Sequence, residues 1–262
     1  MKKNIIVLAA LLSTAPTYLT SYTISAIFVD VEVIFQTNPM RASKYVGKID
    51  SLRYLAEVGN LPNQEDLFKQ LKPVKALSTQ VTHNKGLAMP LILSDWLVAA
   101  QSSSKINATI EKYVNSKDIS NIEKKVLLAI VSMMLTPNDL ADTQSVSSKV
   151  ENLLSALHRH GYTLFLIGNW ANIGALKKNF SHIFKLFKGT YVSGDLHLLK
   201  PAAEFYSKVL ELSGFGPDQS IWIETEQKFT SKMQQLGLNT ILCHHSQHED
   251  IIKGLQKYGI RI

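Results

Sequence analysis

The sequence predicts an α/β protein whose core is a doubly wound parallel sheet, with an all-helical segment inserted after the first strand. Three observations predict this fold: an apolar strand that ends in carboxylates, a long helical stretch after it, and alternating strands and helices in the second half of the chain. The chain has 262 residues, of which 45% are apolar and 19% are charged. That length and composition suit one large domain with a packed core.

The first strand is predicted from an apolar run between Ile24 and Val29. The run is rich in β-branched and aromatic residues and shows no alternation, which is typical of a strand buried on both faces of a parallel sheet. It ends in Asp30, and Glu32 follows two positions later. Open α/β sheets bind ligands at the carboxyl ends of their strands, so both carboxylates are candidate site residues. Taken alone, the pattern is more typical of a strand that happens to meet an acidic turn, and the later motifs are what favour a site.

Residues 39–143 are predicted to be helical throughout. Asn38-Pro39 ends the first strand, and no alternating pattern follows before residue 143. Apolar residues recur at helical spacing, and one helix begins with a capping box, in which the N-cap side chain and the third residue of the helix cap each other. The helical patterns are Ser51 to Val58, Gln64 to Leu71 and Met89 to Ala100, and the capping box is Ser120 to Glu123. A segment this long is an inserted unit and not a loop.

The second half of the chain alternates between helices and strands. Strands are predicted at Tyr162 to Ile167, Gly189 to Ser193, Ser220 to Ile223 and Asn239 to Cys243. Lys200-Pro201 is expected to begin a helix, with the proline at the first helical position and Phe205, Val209 and Leu212 facing inward. Because βαβ crossovers are right-handed, the carboxyl ends of these strands lie along one edge of the sheet. That edge gathers Asp30, Asn169, Lys200 and Glu224.

The first 23 residues are predicted to be a secretory signal peptide. Lys2 and Lys3 precede an apolar run from Ile5 to Leu12, and small and polar residues follow as far as Ser25. The apolar run is too short to span a membrane comfortably, so no stable insertion is expected after processing. The protein is therefore predicted to be exported, either to the periplasm or to the medium. The alternative is a cytoplasmic protein whose N-terminus packs on the domain.

The formal net charge is +7, but the lysines are scattered along the chain. A basic net charge favours binding to anionic substrates or membrane surfaces, but it does not identify the partner. The sequence contains no nucleic-acid-binding motif. The single cysteine, Cys243, excludes an intrachain disulfide. Histidines at 244, 245 and 248 follow it, and the expected arrangement is a buried thiol beside a polar loop and not a metal site.

Four motifs in order resemble those of the haloacid dehalogenase (HAD) superfamily, which consists largely of phosphohydrolases. The corresponding stretches here are Asp30-Val31-Glu32, Gly168-Asn169, Lys200-Pro201 with Tyr206, and Ile223-Glu224-Thr225-Glu226. The resemblance covers Ile24 to Cys243. It implies a HAD-like, Rossmann-type core formed by residues 24–38 and 144–262, and a helical cap formed by residues 39–143.

The resemblance also implies a set of catalytic residues. Asp30 is the expected nucleophile, which forms an aspartyl-phosphate. Glu32 is the expected acid that protonates the leaving group and then activates water, and Lys200 offsets the negative charge gathered around the nucleophile. The implied activity is hydrolysis of a small phosphorylated molecule.

A metal ion and a phosphate-binding pair complete the implied site. Mg²⁺ prefers hard oxygen ligands, and the expected ligands are Asp30, Glu32 and Glu224. Gly168 and Asn169 are expected to bind the phosphate of the substrate.

Three of the four motifs depart from the pattern of the superfamily. Glu32 is one methylene longer than the expected aspartate, Gly168 has no hydroxyl, and Glu224 is followed by Thr225 where a second aspartate often stands. Two functions therefore remain open. One is a Mg²⁺-dependent phosphatase, and the other is a catalytically degenerate HAD-like protein that binds a ligand or a partner.

Overall fold

The computed structural model describes residues 23–60, 62, 64–78, 89–244 and 248–262. All but the last residue of the predicted signal peptide therefore lies outside the described part, as does His245. Within the described ranges, no helix is both long enough and apolar enough to cross a membrane.

The described residues contain seven strands, and five of them form a parallel sheet. The strands are β1 Ala26–Asp30, β2 Phe35–Thr37, β3 Gln144–Val146, β4 Thr163–Gly168, β5 Phe187–Val192, β6 Ser220–Glu224 and β7 Asn239–Leu242. The order in the sheet is β5-β4-β1-β6-β7, and every neighbouring pair is parallel. This is the doubly wound parallel sheet that the sequence predicts, with its strand order reversing at β1.

Helices cover both faces of the sheet and fill the inserted segment. They are α1 Val31–Ile34, α2 Pro39–Val46, α3 Lys48–Val58, α4 Gln64–Leu71, α5 Leu91–Leu97, α6 Ser103–Asn115, α7 Asn121–Leu135, α8 Pro137–Thr143, α9 Ser148–Arg159, α10 Gly174–Asn179, α11 Ser181–Phe184, α12 Ser193–Leu196, α13 Ala203–Ser213, α14 Gln227–Gln235 and α15 His248–Lys257. Helices α2 to α8 occupy the segment predicted to be helical, and the capping box at Ser120 and Glu123 is present. Strands β2 and β3 pair antiparallel where the chain leaves the core and returns to it.

Strand β1 is buried on both faces, as its apolar sequence predicts. Successive side chains of a strand point to opposite faces. Ile27 and Val29 pack into the apolar cluster on one face of the sheet, whereas Ala26 and Phe28 pack into the cluster on the other. On the second face, the Phe28 ring stacks on Trp222 with a centroid distance of 4.2 Å. Residues that follow β1 are therefore held at the centre of the sheet.

The inserted helices have an apolar core of their own, and this core also contacts the sheet domain. Trp96, Ile106 and Leu127 are among its buried members. Leu199, which precedes Lys200 in the sheet domain, is buried in the same cluster. The insertion and the loop that carries Lys200 are therefore packed together.

The structure corrects two expectations about the helix after Lys200-Pro201. Helix α13 begins at Ala203, so Pro201 lies in the preceding turn and not at the first helical position. Leu212 is 48% exposed and does not face inward. The buried side chains of this helix are Phe205, Tyr206 and Val209, because the helix turns the Tyr206 side toward Trp222 and leaves Leu212 on the solvent side.

Candidate active site

Asp30 is the last residue of the central strand, and its carboxylate is buried. Its Oδ1 accepts a hydrogen bond of 2.8 Å from the backbone N–H of Glu32, so Asp30 caps the short helix α1. An ionised carboxylate suits a helix N-terminus, where backbone N–H groups have no partner inside the helix. This capping contact therefore holds the side chain of Asp30 at the carboxyl edge of the sheet.

The strand register brings the predicted site residues to the same edge. Val29 pairs with Leu166 in β4 and with Ile223 in β6. Gly168 and Glu224, the last residues of those two strands, therefore lie on either side of Asp30. The structure therefore brings Asp30, Gly168 and Glu224 together at the carboxyl edge of the sheet, where the sequence predicts the site.

Lys200 reaches this edge from the loop before helix α13 and is buried. Its ammonium group donates hydrogen bonds to Oδ2 of Asp30 and to Oε2 of Glu224. The face of the Phe229 ring lies 4.6 Å from the Lys200 nitrogen, measured to the ring centroid. Two carboxylates from adjacent strands therefore share a single buried cation.

Asn169 contacts the backbone of Lys200. Its Oδ1 accepts from the Lys200 N–H at 2.9 Å, and its Nδ2 donates to the Lys200 carbonyl at 3.2 Å. This paired contact joins the end of β4 to the lysine loop. The structure thus places Asn169 as a residue that positions Lys200, and its expected contact with phosphate stays a prediction.

Opposing effects act on the pKa of the buried groups. Burial alone lowers the pKa of Lys200, but the carboxylates of Asp30 and Glu224 outweigh that effect and raise it above its usual value. Burial and the charge of Asp30 raise the pKa of Glu224 to about 7, although Lys200 acts in the opposite direction. Lys200 therefore stays protonated, while Glu224 carries a proton more readily than an ordinary glutamate.

Glu32 extends from helix α1, with part of its surface in contact with solvent. Its Oε2 accepts a hydrogen bond of 3.3 Å from the hydroxyl of Thr225. Although the residue is exposed, protein atoms crowd its carboxyl group, and this desolvation together with the charge of Asp30 raises the pKa of Glu32 to about 7. A carboxyl group with this pKa can both donate and accept a proton near neutral pH.

Gly168 leaves no room for a larger side chain. A Cβ atom at this position would lie 2.9 Å from Cγ2 of Val31 and 3.4 Å from Oδ2 of Asp30. The first of these distances is shorter than carbon atoms tolerate without a shift. Gly168 and Val31 therefore fit each other, and the serine or threonine of the superfamily motif does not fit here unless Val31 moves.

Two residues at this site are part of the sequence motifs, but the sequence assigned no role to either. Thr225 was noted only as the substitute for an aspartate, yet its hydroxyl holds Glu32. Tyr206 is buried beside the cluster, and its hydroxyl has no hydrogen-bond partner among the residues that the structure describes. Burial raises the pKa of Tyr206. The pairing of Thr225 with Glu32 depends on strand order, so no local sequence signal could have shown it.

The donor chemistry of the site fits Mg²⁺. Asp30 and Glu224 contact the one ammonium group of Lys200, and Glu32 lies near them; burial, and after it the charge of Asp30, raises the pKa of both glutamates. Mg²⁺ commonly takes one or two carboxylates and completes its shell with water and phosphate oxygens. The described residues contain no preformed group of three metal-binding side chains. Asp30 and Glu224 together satisfy the smaller requirement.

Comparison with solved structures identifies the fold. The HAD-family enzyme BT-2542 from Bacteroides thetaiotaomicron is 17% identical, with a TM-score of 0.54 over 86% of this chain and 96% of that one. The same enzyme in complex with magnesium and inorganic phosphate is 16% identical over the same shares of the two chains, with a TM-score of 0.52. A predicted HAD-like family hydrolase from Porphyromonas gingivalis is 14% identical, with a TM-score of 0.56 over 92% of this chain and 100% of that one.

This chain has the fold of the HAD-like hydrolases, with an α/β core of the Rossmann type, which confirms the fold that the motifs imply. No protein-family model matches the sequence, and no curated protein matches it. The identities to the solved structures are low, so the comparisons establish the fold, and the activity is argued from the side chains.

Proposed function

We propose that this protein is a Mg²⁺-dependent phosphohydrolase that cleaves a small phosphate monoester through an aspartyl-phosphate on Asp30. The observation that carries the proposal is the buried contact of Lys200 with Asp30 and Glu224 at the carboxyl end of the central strand. A fold needs no buried cation between two carboxylates at this edge, because burying charges is costly. A constellation of this kind is characteristic of functional sites.

The residues of the site suit two successive displacements. In the first, the Asp30 carboxylate attacks phosphorus, the bond from phosphorus to the ester oxygen breaks, and Glu32 protonates the leaving alkoxide. In the second, water attacks the aspartyl-phosphate, Glu32 takes a proton from the water, and inorganic phosphate leaves as Asp30 is regenerated. The pKa of Glu32, about 7, suits both roles. Lys200 stays protonated and offsets the charge on Asp30.

Asp30 and Glu224 are the residues that would hold Mg²⁺, with Glu32 next to them. When bound, the ion supplies positive charge that stabilises the phosphoryl oxygens and screens the nucleophile from their repulsion. The magnesium and phosphate complex of the Bacteroides enzyme, a protein of the same fold, supports the proposal that this site takes Mg²⁺. The donor chemistry of this chain supports it independently.

The domain arrangement follows from the same proposal. Residues 24–38 and 144–262 form the catalytic core, and residues 39–143 form a helical cap. The antiparallel pair of β2 and β3 joins the two parts, and Leu199 packs into the core of the cap directly before Lys200. A cap in contact with the lysine loop suits a small substrate enclosed between cap and core.

Hydrolysis of p-nitrophenyl phosphate by the full chain tests the proposal. We expect turnover that requires Mg²⁺, is abolished by excess EDTA, and falls at least about 10³-fold in Asp30→Asn. Asp218→Asn is the matched control, since Asp218 is exposed at the opposite end of the sheet, before β6. Turnover that Asp30→Asn leaves unchanged would contradict the proposal.

The second candidate is a HAD-like protein that binds a ligand or partner without turnover. Two observations favour it: Gly168 cannot supply a hydroxyl to a phosphate, and the side chain of Asn169 is used to hold Lys200. A folded protein that hydrolyses no member of a broad phosphoester panel and does not bind Mg²⁺ in calorimetry would support this candidate.

A further inference from the structure

Helix α3 of the insertion carries an exposed apolar face. Among the residues that the structure describes, half of the large apolar side chains with high exposure lie between residues 40 and 58, and these are Met40, Ile49, Leu52, Leu55 and Val58. Ile49 and Leu52 are each 67% exposed. Of these five, Ile49 and Leu52 lie one turn apart on the same side of α3, and neighbouring exposed apolar side chains of this kind mark interaction surfaces.

The outward face of α3 has a defined composition. Ile49, Leu52, Arg53 and Ala56 follow the spacing of one helix face and are all exposed. Lys48 is exposed one turn before Leu52. A pair of aliphatic side chains is therefore flanked by a cation on each side.

The two acidic residues of α3 each have a partner on helix α7 or at its N-cap. Asp50 forms an ion pair of 2.7 Å with Lys125 on helix α7, and Glu57 accepts a hydrogen bond of 3.0 Å from Ser120, the N-cap of α7. Tyr54 packs on α7 through Val126. Within the described part of the chain, neither Lys48 nor Arg53 has an acidic partner. The outward face is thus apolar and basic, and the carboxylates of Asp50 and Glu57 at its margin already have partners on α7 or at its N-cap.

We infer that the outward face of α3, formed by Lys48, Ile49, Leu52, Arg53 and Ala56, docks on an anionic lipid surface. Apolar side chains at the centre of such a helix face enter the boundary between headgroups and acyl chains, while lysine and arginine contact anionic headgroups. The charge of the face and the net charge of +7 are both complementary to that surface. The face carries no tyrosine or tryptophan, the residues that most often anchor a protein partner.

The inference concerns peripheral attachment and does not depend on the proposed hydrolase activity. Helix α3 has 11 residues and packs by its inner face on α7, so it lies along a surface and does not span it.

Labelling at single positions tests the inference in the full chain. Leu52→Cys carries the environment-sensitive NBD fluorophore, and Leu212→Cys, exposed on α13, is the matched control; both are made with Cys243→Ser. We expect the emission of the label at position 52 to shift to the blue and rise with vesicles that contain phosphatidylserine, but not with phosphatidylcholine alone. The label at position 212 should show neither change. This readout is local, so the apolar run at residues 5–12 cannot produce it.

Charge removal supplies the second arm of the test. Each basic residue near an anionic surface strengthens binding about fivefold, so Lys48→Gln with Arg53→Gln should weaken partitioning about 25-fold. An unchanged spectrum at position 52 with anionic vesicles would overturn the inference. So would a shift that appears with protein concentration in the absence of vesicles, because that result identifies a second copy as the occupant. A response equally strong with phosphatidylcholine alone would overturn the anionic requirement.

Discussion

The hydroxyl of Thr225 donates a hydrogen bond of 3.3 Å to Oε2 of Glu32, although 193 positions separate the two residues. Thr225 directly follows β6, and Glu32 lies just beyond the neighbouring strand β1. The longer side chain of glutamate can therefore be held beside Asp30, even though an aspartate is the residue that the superfamily motif prescribes.

We expect Thr225→Val to lower turnover of p-nitrophenyl phosphate about tenfold, because it removes a hydrogen bond to Glu32, the acid and base of the proposed mechanism. Thr225→Ser keeps the hydroxyl and should retain most of the activity. The check is kcat measured for both variants beside the wild type, with circular dichroism to verify folding. Equal rates for the valine and serine variants would show that the contact does not position Glu32.

Lys200→Met should destabilise the protein by about 3–5 kcal/mol, because it leaves the carboxylates of Asp30 and Glu224 buried without their cation. Adding Glu224→Gln should recover part of that loss. Urea unfolding in the presence of EDTA measures both effects. Lys208→Met is the control, since the exposed pair of Lys208 and Glu211 contributes at most about 1 kcal/mol. A change as small as that of the control would contradict the expectation.

Gly168→Ser should lower stability by about 1–3 kcal/mol, because the new Cβ overpacks against Val31. Combining it with Val31→Ala should restore part of the stability by providing space. Gly216→Ala serves as a control, since its Cβ would meet the nearest atom at an ordinary 3.6 Å. Thermal unfolding of the four proteins gives the comparison, and a Gly168→Ser variant as stable as the wild type would refute the steric argument.

Ser193→Ala should weaken the contact between the sheet domain and the insertion. The buried Ser193 hydroxyl donates to the Leu97 carbonyl at 2.8 Å, at the end of helix α5. Its loss leaves a buried carbonyl with one partner fewer, at a cost of about 1–3 kcal/mol. Hydrogen exchange should then become faster in α5, whereas Ser213→Ala, which removes a local bond to Leu210, should leave α5 unchanged. Unaltered exchange in α5 would count against the contact.

Cys243 should react slowly with iodoacetamide. Burial, together with the nearby charge of Asp250, raises the pKa of its thiol to about 11. At pH 8.5 the thiolate fraction is then roughly a hundredfold below that of an ordinary cysteine, and the rate should rise with pH up to about 11. Mass spectrometry of alkylation in native protein and in urea provides the measurement. Rapid alkylation of the native protein at pH 8.5 would place the thiol in a more open setting.

Much of this architecture is readable from local sequence. The apolar run before Asp30 predicts the central strand, and the capping box at Ser120 and Glu123 predicts the start of α7; both are present. Each of these signals is contained in a few consecutive residues, where hydrophobic periodicity and end-capping chemistry act directly. Asp30, Lys200 and Glu224 could be assigned to one edge because parallel strands with right-handed crossovers align their carboxyl ends.

Other features of the site depend on distances that no local pattern contains. Phosphate binding by Asn169 stays a prediction, whereas the contact of its side chain with the backbone of Lys200 is a tertiary contact that no local pattern indicates. The inward residues of α13 were set by the rotation of that helix against Trp222, so Tyr206 is buried and Leu212 is exposed. Packing between elements decides such rotations.

The sequence by itself determined the five strands of the parallel sheet, the helical insertion and the residues at the carboxyl edge, because propensity, periodicity and motif order are local properties of the chain; it did not indicate the short pair β2 and β3. Only the tertiary structure decided that Lys200 lies between Asp30 and Glu224, that Thr225 holds Glu32, and that Val31 occupies the space beside Gly168. These contacts join residues far apart in the chain. Their geometry and the resulting pKa shifts exist only once the strands have paired and the loops have packed against the sheet.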